Sequence, residues 1–491
     1  MEEINDLLQK IGPGRMSNTA YDTAWVARLG EMDPVLSNRA MEWICENQLS
    51  DGSWGAKDIY YYHDRVICTL ASMIALTYRG RRMHDKTQIE RGLGALEKIT
   101  TGATQGLASD PNGATVGFEM ITPTLVTEAE KLGIIKQQGD RILGRMTQMR
   151  AKKIEKLRGL KISKYITPAF SSEMAGIDGM AMFDIDNLQE PNGSVGNSPS
   201  ATAYFSMFLK PNDSSAINYL HQAIHSNGGV PDFNPIDIFE VSWSLWNLHL
   251  IQNLDIDPTL LKTHLDFLEN HWDVKSGICT SANGTIKDGD DSALVYDVLA
   301  RYGRKQDIDA ILSYEEAEHF RCFTLESNPS ISTNIHILGA LREAGFEQKH
   351  PSVQKVLNFL RSTQFEDGYF LDKWHASPYY STSHAIIICQ GYDNELCRKA
   401  IEWIINNQNA DGSWGYYTPT AEETAYAIQS LSIWKRSGNN VSSGIIERGL
   451  DWLTQHTNPP YEPLWIGKAL YCPELVVRSA IVSAQALAKE G

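Results

Sequence analysis

The strongest constraint on how this chain folds is a turn that it uses twice in nearly the same words. Arg39-Ala40-Met41-Glu42-Trp43-Ile44, followed by Asn47-Gln48 and Asp51-Gly52-Ser53-Trp54-Gly55, returns as Lys399-Ala400-Ile401-Glu402-Trp403-Ile404, followed by Asn407-Gln408 and Asp411-Gly412-Ser413-Trp414-Gly415, every equivalent pair 360 residues apart. Weaker copies read Gln189-Glu190-Pro191-Asn192-Gly193-Ser194-Val195 and Gln364-Phe365-Glu366-Asp367-Gly368-Tyr369-Phe370. Recurrence of this kind marks a chain built from repeated helix-turn units. The turn has a physical logic: a helix ends near the Gln, Asp/Asn-Gly supplies the left-handed residues that stop it, and the aromatic packs back over the junction. Apolar residues between the copies recur at spacings of three and four, as at Ala400, Ile401, Ile404 and Ile405, and no β-alternation of any length appears. The expected fold is all-α, with the repeats closing into two rings of paired helices.

At 491 residues the chain is long enough for two or three domains, each with its own core. A formal charge of −16 argues against nucleic acid as a partner. The start, Met1 to Asp6, is acidic where a signal peptide would be basic and then apolar, and no apolar run reaches the length of a membrane span. The expected setting is cytoplasmic, with no integral membrane segment. Seven scattered cysteines without a C-x-x-C pair signal neither a disulfide framework nor a zinc site.

One short stretch carries chemistry. Asp288-Gly289-Asp290-Asp291 leads into Ser292-Ala293-Leu294, and Leu294, Val298 and Tyr302 recur at i, i+4, i+8, so a helix begins here with acids at its mouth. Three like charges so close do not all ionise cheaply, and their repulsion keeps one proton bound near neutral pH, which makes a candidate general acid. Helix capping explains one carboxylate of the three. A calcium loop wants Gly at the sixth position and Glu at the twelfth, where this chain has Ala293 and Leu299. A diphosphate-ionising Asp-Asp-X-X-Asp cluster would need an acid at Leu294.

Asp-X-Asp-Asp together with several Gln-X-X-Asp-Gly-X-Trp repeats is similar to the joint signature of the class II terpene cyclases, and the chain resembles their bacterial diterpene cyclases. Tyr21 to Ala27 resembles a stretch of the plant copalyl diphosphate synthases, and Val116-Gly117-Phe118-Glu119, Gly228-Gly229-Val230-Pro231, Asp372-Lys373-Trp374 and Trp465-Ile466-Gly467-Lys468 extend the likeness. The resemblance implies two α/α-barrels in the βγ arrangement, with 1–34 and 251–491 forming β, 35–250 forming the inserted γ, and the active site between them. It implies protonation of geranylgeranyl diphosphate by Asp290, with Asp288 and Asp291 keeping the proton loaded. The segment from Ser327 to His336, Ser332 included, would support this acid. Plant members carry Asn at the place of His336, whereas squalene-hopene cyclases set His against the same Asp, so an Asp290–His336 hydrogen bond is expected. Carbocations need aromatic walls, for which Trp374, Tyr379, Tyr380, Trp465 and Tyr471 are candidates, although each serves equally as core or repeat packing.

The same resemblance assigns the diphosphate to Lys373, with Lys156 and Arg158 nearby in a basic run that also reads as a solvated face. Magnesium is the expected cofactor, with Glu119 and Asp110 as its hard-oxygen ligands. At the place of a plant His–Asn base pair the chain has Ser171 or Ser172 and Asp232, so proton loss straight after bicyclisation is expected to be slow. The product expected is then a rearranged bicyclic diphosphate of halimadienyl or kolavenyl (clerodane) type, with Asp232 as terminal base or cation stabiliser or merely a helix cap, and copalyl diphosphate as the alternative. The retained diphosphate suits later use by a class I terpene synthase or a phosphatase. Two readings of other classes remain at this stage: an α/α-toroid glycosidase, which also uses paired carboxylates, and a non-catalytic helical toroid whose acids are only caps.

Overall fold

Helices that are buried on almost every side sit inside other helices, and this chain has two kinds of helix to arrange accordingly. A computed structural model describes residues 2–79, 83–102, 114–136, 138–166, 169–252, 254–326 and 328–490. In the Gly289–Arg301 helix every residue from Gly289 to Leu299 is buried, whereas the Asn394–Asn406 helix buries only Leu396, Cys397, Ala400, Ile401 and Ile404, one face. The first kind lines a ring and the second clads it.

Among the described residues, six helices form a closed inner ring: Asp237–His249, Gly289–Arg301, Ile331–Glu343, Pro378–Cys389, Ala421–Arg436 and Glu474–Glu490, each packed on the next and the last on the first. Pro258–His271, Pro351–Thr363, Asn394–Asn406 and Ser443–Thr454 lie outside it, and the N-terminal Glu2–Lys10 helix completes the cladding against Glu474–Glu490 and Pro258–His271. A second ring is made by Ala20–Ala27, Tyr62–Arg79, Phe118–Lys131, the irregular turns of Ala169–Ala175 and Pro199–Tyr204. The expected all-α double barrel is what the chain forms. Strand is confined, among the described residues, to two short antiparallel pairs, Asn18–Thr19 with Val230–Pro231 and Trp465–Ile466 with Leu470–Tyr471. Set beside the expected boundaries at 34 and 250, the two hydrophobic cores change hands between Met16 and Ala20 and again between Val230 and Ile236.

The repeated turn works as a tie between neighbouring outer helices. Gln408 Nε2 donates to the Gly412 carbonyl at 2.9 Å and to the Ile445 carbonyl of the next outer helix at 2.8 Å, while the Trp414 indole N–H donates back to the Ile404 carbonyl at 2.8 Å. Gln48 and Trp54 repeat the pattern onto the Gly52, Gln88 and Ile44 carbonyls, each at 2.8 Å. The helix itself stops earlier than the glycine: the Asn407 side chain donates to the Trp403 carbonyl at 2.8 Å, and Gly412 serves a later bend at φ +94°, where a Cβ would fall 2.4 Å from the Arg448 carbonyl oxygen. Trp414 is wholly buried. Trp414→Ala is expected to cost roughly 3–5 kcal/mol by cavity and lost contacts, read as a lower denaturant midpoint. A midpoint within error of the wild type would show that the turn is not a stabilising tie.

Candidate active site

The three carboxylates of the Gly289–Arg301 helix divide their work. Asp288 caps the helix, its Oδ1 accepting the backbone N–H groups of Asp290 at 3.0 Å and Asp291 at 2.8 Å. The capping explanation therefore holds for one acid and leaves two. Asp291 Oδ2 accepts the Thr280 hydroxyl at 2.7 Å, and Asp290 Oδ1 lies 2.6 Å from Nδ1 of His336. Glycine is required between them, since a Cβ on Gly289 would sit 2.5 Å from the Arg321 carbonyl oxygen. Burial first, and then the neighbouring Asp291 charge, holds the Asp288 carboxyl well above the usual carboxylate range. Burial pushes Asp291 up to about 7, against the pull of the Thr280 hydroxyl and of Asp288.

His336 is carried by the Ile331–Glu343 helix, whose start is fixed by Asp372: its carboxylate accepts the Ile331 N–H at 2.8 Å and the Ser332 hydroxyl at 2.7 Å. Ser332 thus supports the acid at one remove, holding through Asp372 the start of the helix that carries His336. On the far side of His336, Nε2 lies 2.9 Å from Nδ1 of His384.

The acids open into a cavity of about 150 Å³ walled by Phe239, Trp243, Trp465, Tyr471, Phe323 and Trp374. The indoles are fixed from behind, Trp243 Nε1 donating to the Tyr380 hydroxyl at 3.0 Å and Trp465 Nε1 to Glu422 at 2.8 Å. Val116, Phe323 and Trp374 also line an adjoining polar cavity of about 270 Å³ that holds Lys153, Lys156, Lys373, Glu119, Glu326, Ser171 and Ser172. Lys373 pairs with Glu326 and donates to the Asn328 carbonyl at 2.8 Å, and its ammonium lies 4.9 Å from the centroid of Trp374. An apolar chamber with an acid and a lysine-bearing chamber joined at a tryptophan suit a molecule with a long unsaturated tail and an anionic head.

Several expected residues stand elsewhere. Tyr379 packs outward on Trp403 of the outer layer at 4.7 Å and lines neither chamber. Tyr380 forms a layer behind the wall through Trp243. Arg158 is exposed at a left-handed turn, φ +47°, beyond the polar chamber. Asp232 is fully buried behind Gly467, its Oδ2 accepting the Lys468 N–H at 2.6 Å and its Oδ1 3.7 Å from the Lys468 ammonium, so it faces an ion cluster and not the cavity. Asp110 lies outside the described residues. Lys156 and Glu119 do belong to the polar chamber, where Glu119 Oε1 takes the Lys153 ammonium.

Magnesium bound with a diphosphate takes one or two carboxylates besides phosphate and water oxygens. Of the two carboxylates expected to hold that ion, Glu119 lies in the polar chamber, where it already takes the Lys153 ammonium and would share its charge with the metal. Among the described residues the cluster with metal-ligand spacing is instead Cys45, His84 and Asp85, and there the Arg79 guanidinium already contacts both Asp85 and Cys45.

Sequence reasoning missed His384, Trp243, Phe239, Thr280, Lys153, Glu326 and Glu190. Phe239, Trp243 and Trp246 share one helix face at i, i+4, i+7, a legible aromatic stripe. His384 follows Ser381-Thr382-Ser383 in the buried inner helix Pro378–Cys389, and nothing in that pattern marks it out from a packed core histidine. Glu190, whose carboxylate accepts the Thr285 hydroxyl at 2.5 Å, was masked by its place in a repeat turn.

Fold and site together are those of an acid-initiated terpene cyclase. The profile of the squalene-hopene cyclase C-terminal domain matches residues 323–465. The chain is 49% identical to a protein named type B diterpene cyclase from Mycobacterium tuberculosis, over all of this chain and 99% of that one. It is 30% identical to an ent-copalyl diphosphate synthase from a Streptomyces species, over 96% of this chain and 92% of that one. The structure matches that of the ent-copalyl diphosphate synthase from Streptomyces platensis with a TM-score of 0.81 and 26% identity, over 99% of this chain and 98% of that one. This chain belongs to the class II diterpene cyclases.

The buried acids leave a signature in stability. Between its ordinary value of 3.8 and about 7, Asp291 holds its proton in the folded chain and loses it in the unfolded one, so stability falls as pH rises through that window. Asp291→Asn removes this titration and is expected to stabilise the protein more at pH 8 than at pH 5, by up to a few kcal/mol on the scale of 1.4 kcal/mol per unit. Denaturant midpoints of both proteins at the two pH values measure it, and an equal difference at both would contradict the burial argument.

Proposed function

We propose that this protein converts geranylgeranyl diphosphate into a rearranged bicyclic diterpenyl diphosphate of halimadienyl or kolavenyl (clerodane) type, with the diphosphate retained. The observation that carries the reading is the Asp290 carboxyl held against His336 at the wall of an aromatic chamber. The O–H bond of Asp290 breaks and leaves its electrons on the carboxylate, while the π pair of the terminal alkene takes the proton and leaves a tertiary cation. The next two alkenes close on that cation, forming two carbon–carbon bonds. A carboxylic acid is a weak donor to an alkene, and two features support its use here. Burial raises Asp288 and Asp291, so the motif itself binds protons up to about neutral pH, and the His336 contact together with the helix N-terminus favours the carboxylate left behind. The cation is met by the π faces that wall the chamber.

Rearrangement is supported by what the wall offers after cyclisation. Among the described residues no histidine lines either chamber, and Ser171 and Ser172 are weak bases. Hydride and methyl shifts then precede loss of a proton from the rearranged cation to water, so that the proton gained from Asp290 and the one given up cancel, as an isomerisation requires. Lys373, Lys153 and Lys156 are suited to the diphosphate, and Glu119 would hold magnesium, which supplies charge neutralisation of that group. The retained diphosphate makes the product a substrate for an enzyme that ionises or hydrolyses such esters.

Asp290→Asn is expected to fold normally and to lose turnover of geranylgeranyl diphosphate by at least about 10²–10⁴-fold; cyclic product at the wild-type rate would end the assignment. Phosphatase treatment of the wild-type product, followed by mass spectrometry and NMR, is expected to give a rearranged bicyclic alcohol, and copalol would replace the product proposed here with the alternative. Glu119→Gln is expected to raise the magnesium concentration needed for half-maximal rate, and an unchanged magnesium response would move the ion to other ligands.

A further inference from the structure

His336 is completely buried, and its two ring nitrogens meet different partners: Nδ1 lies 2.6 Å from Asp290 Oδ1 and Nε2 2.9 Å from Nδ1 of His384. An imidazole donates from both nitrogens only as the cation, and a buried cation needs an acceptor at each N–H. We propose that His384 is a positioning residue for the reaction, whose neutral Nδ1 accepts from His336 Nε2–H and so lets His336 keep both protons and donate to Asp290. The inference rests on Asp290 being the acid.

The consequence for the acid is geometric. With a donor on Oδ1, the proton of Asp290 sits on Oδ2 and is available to the alkene, and the carboxylate formed on transfer lies against a cation. Were His336 Nδ1 an acceptor, the same proton would be directed at His336 and away from the substrate.

His384 is built to stay neutral. Burial first, then the imidazoles of His336 and His375, hold it well below the usual histidine range. Trp246 stacks on its ring at 4.3 Å and 27°, which fixes the ring plane, and Tyr426 meets it edge-on at 5.8 Å and 86°. The remaining proton belongs on Nε2, which has no hydrogen-bond acceptor among the described residues and lies in this aromatic nest. The other charged groups around the pair are already committed. His375 is 3.2 Å from Glu422, Asp297 pairs with Arg301 and accepts the Trp246 indole N–H at 3.1 Å, and Asp288 and Asp291 flank Asp290 on its own helix. His384 is therefore the acceptor within reach of His336 Nε2.

The test is steady-state turnover of geranylgeranyl diphosphate across pH by the wild type, His384→Phe and His384→Asn, with thermal midpoints alongside. His384→Phe is expected to lower kcat by about 10- to 100-fold, the range one charge-assisted hydrogen bond controls, with KM little changed. The alkaline limb of its kcat profile moves to lower pH, because the charged form of His336 has lost an acceptor. His384→Asn, which returns an acceptor at the Nδ1 position, is expected to recover most of kcat and the limb. His384→Met, flexible enough to fill the space and only a weak acceptor, carries the same expectation as Phe should the aromatic not fold. An unchanged kcat, a limb that stays or moves to higher pH, or an Asn variant as slow as Phe would overturn the inference. An active Asp290→Asn overturns the acid itself, whereas an inactive Asp290→Asn beside an unaffected His384→Phe removes this inference alone.

Discussion

Everything in the catalytic barrel answers to one unfavourable requirement, that three carboxylates stay together away from water at the mouth of a helix. Isolated carboxylates in that setting would be hydrated or dispersed. Here each is given a different partner: backbone N–H groups for Asp288, a hydroxyl for Asp291 and an imidazole for Asp290. Those partners come from the helix itself, from the loop before it and from the next inner helix of the ring. The ring must therefore close before the site exists, and the Gln and Trp ties of the repeated turn close it from the outside.

The second constraint is the wall between the barrels. The Trp465–Ile466 and Leu470–Tyr471 hairpin belongs to the catalytic barrel, but Lys468 at its tip enters the centre of the other ring. Its ammonium is 3.0 Å from Glu173 and 3.4 Å from Asp22, and it donates to the Ser198 hydroxyl at 2.6 Å, all wholly buried. Burial chiefly holds Asp232 above the usual carboxylate range, and Lys468 is raised by the carboxylates around it in spite of its own burial. Such clusters contribute little net stability, since desolvation offsets the attraction, but removing one partner leaves a stranded charge. The cluster therefore fixes position, and with it the two cavity walls that the hairpin supplies, Trp465 and Tyr471. The expectation that Asp232 serves as a base assumed a side chain facing the substrate; the chain uses it to seat this plug.

What the sequence made legible follows from contiguity. The repeat and the acid motif each lie within a few residues of one another, so the rings, the helix and the capping carboxylate could be read directly. His336 was reachable only through resemblance, because its relation to Asp290 crosses between inner helices. His384 stands one helix further round the ring, and no local pattern distinguishes it from a packed core histidine. Tyr379 failed in the opposite sense: its residue type suits a cation wall, but its ring packs outward on Trp403. The polar chamber was partly visible, as Lys373, Lys156 and Glu119, whereas Lys153 sits in the Met146–Lys156 helix, whose basic spacing resembles any solvated surface.

The two barrels thus contribute different kinds of chemistry to one reaction. The acid, its histidines and most of the aromatic wall are held by inner-ring helices of a single barrel and the loops between them, where ring closure fixes their positions and angles. The lysines come from both: Lys373 from the catalytic barrel, Lys153 and Lys156 from the inserted one. The polar cavity with these lysines and the chamber with Asp290 share Val116, Phe323 and Trp374 as lining. How far the cation then travels is a matter of which wall group first accepts a proton. A wall built of indole and phenyl faces, whose nearest imidazoles are engaged behind it, stabilises charge at many positions and removes it at few, which is the physical condition for migration.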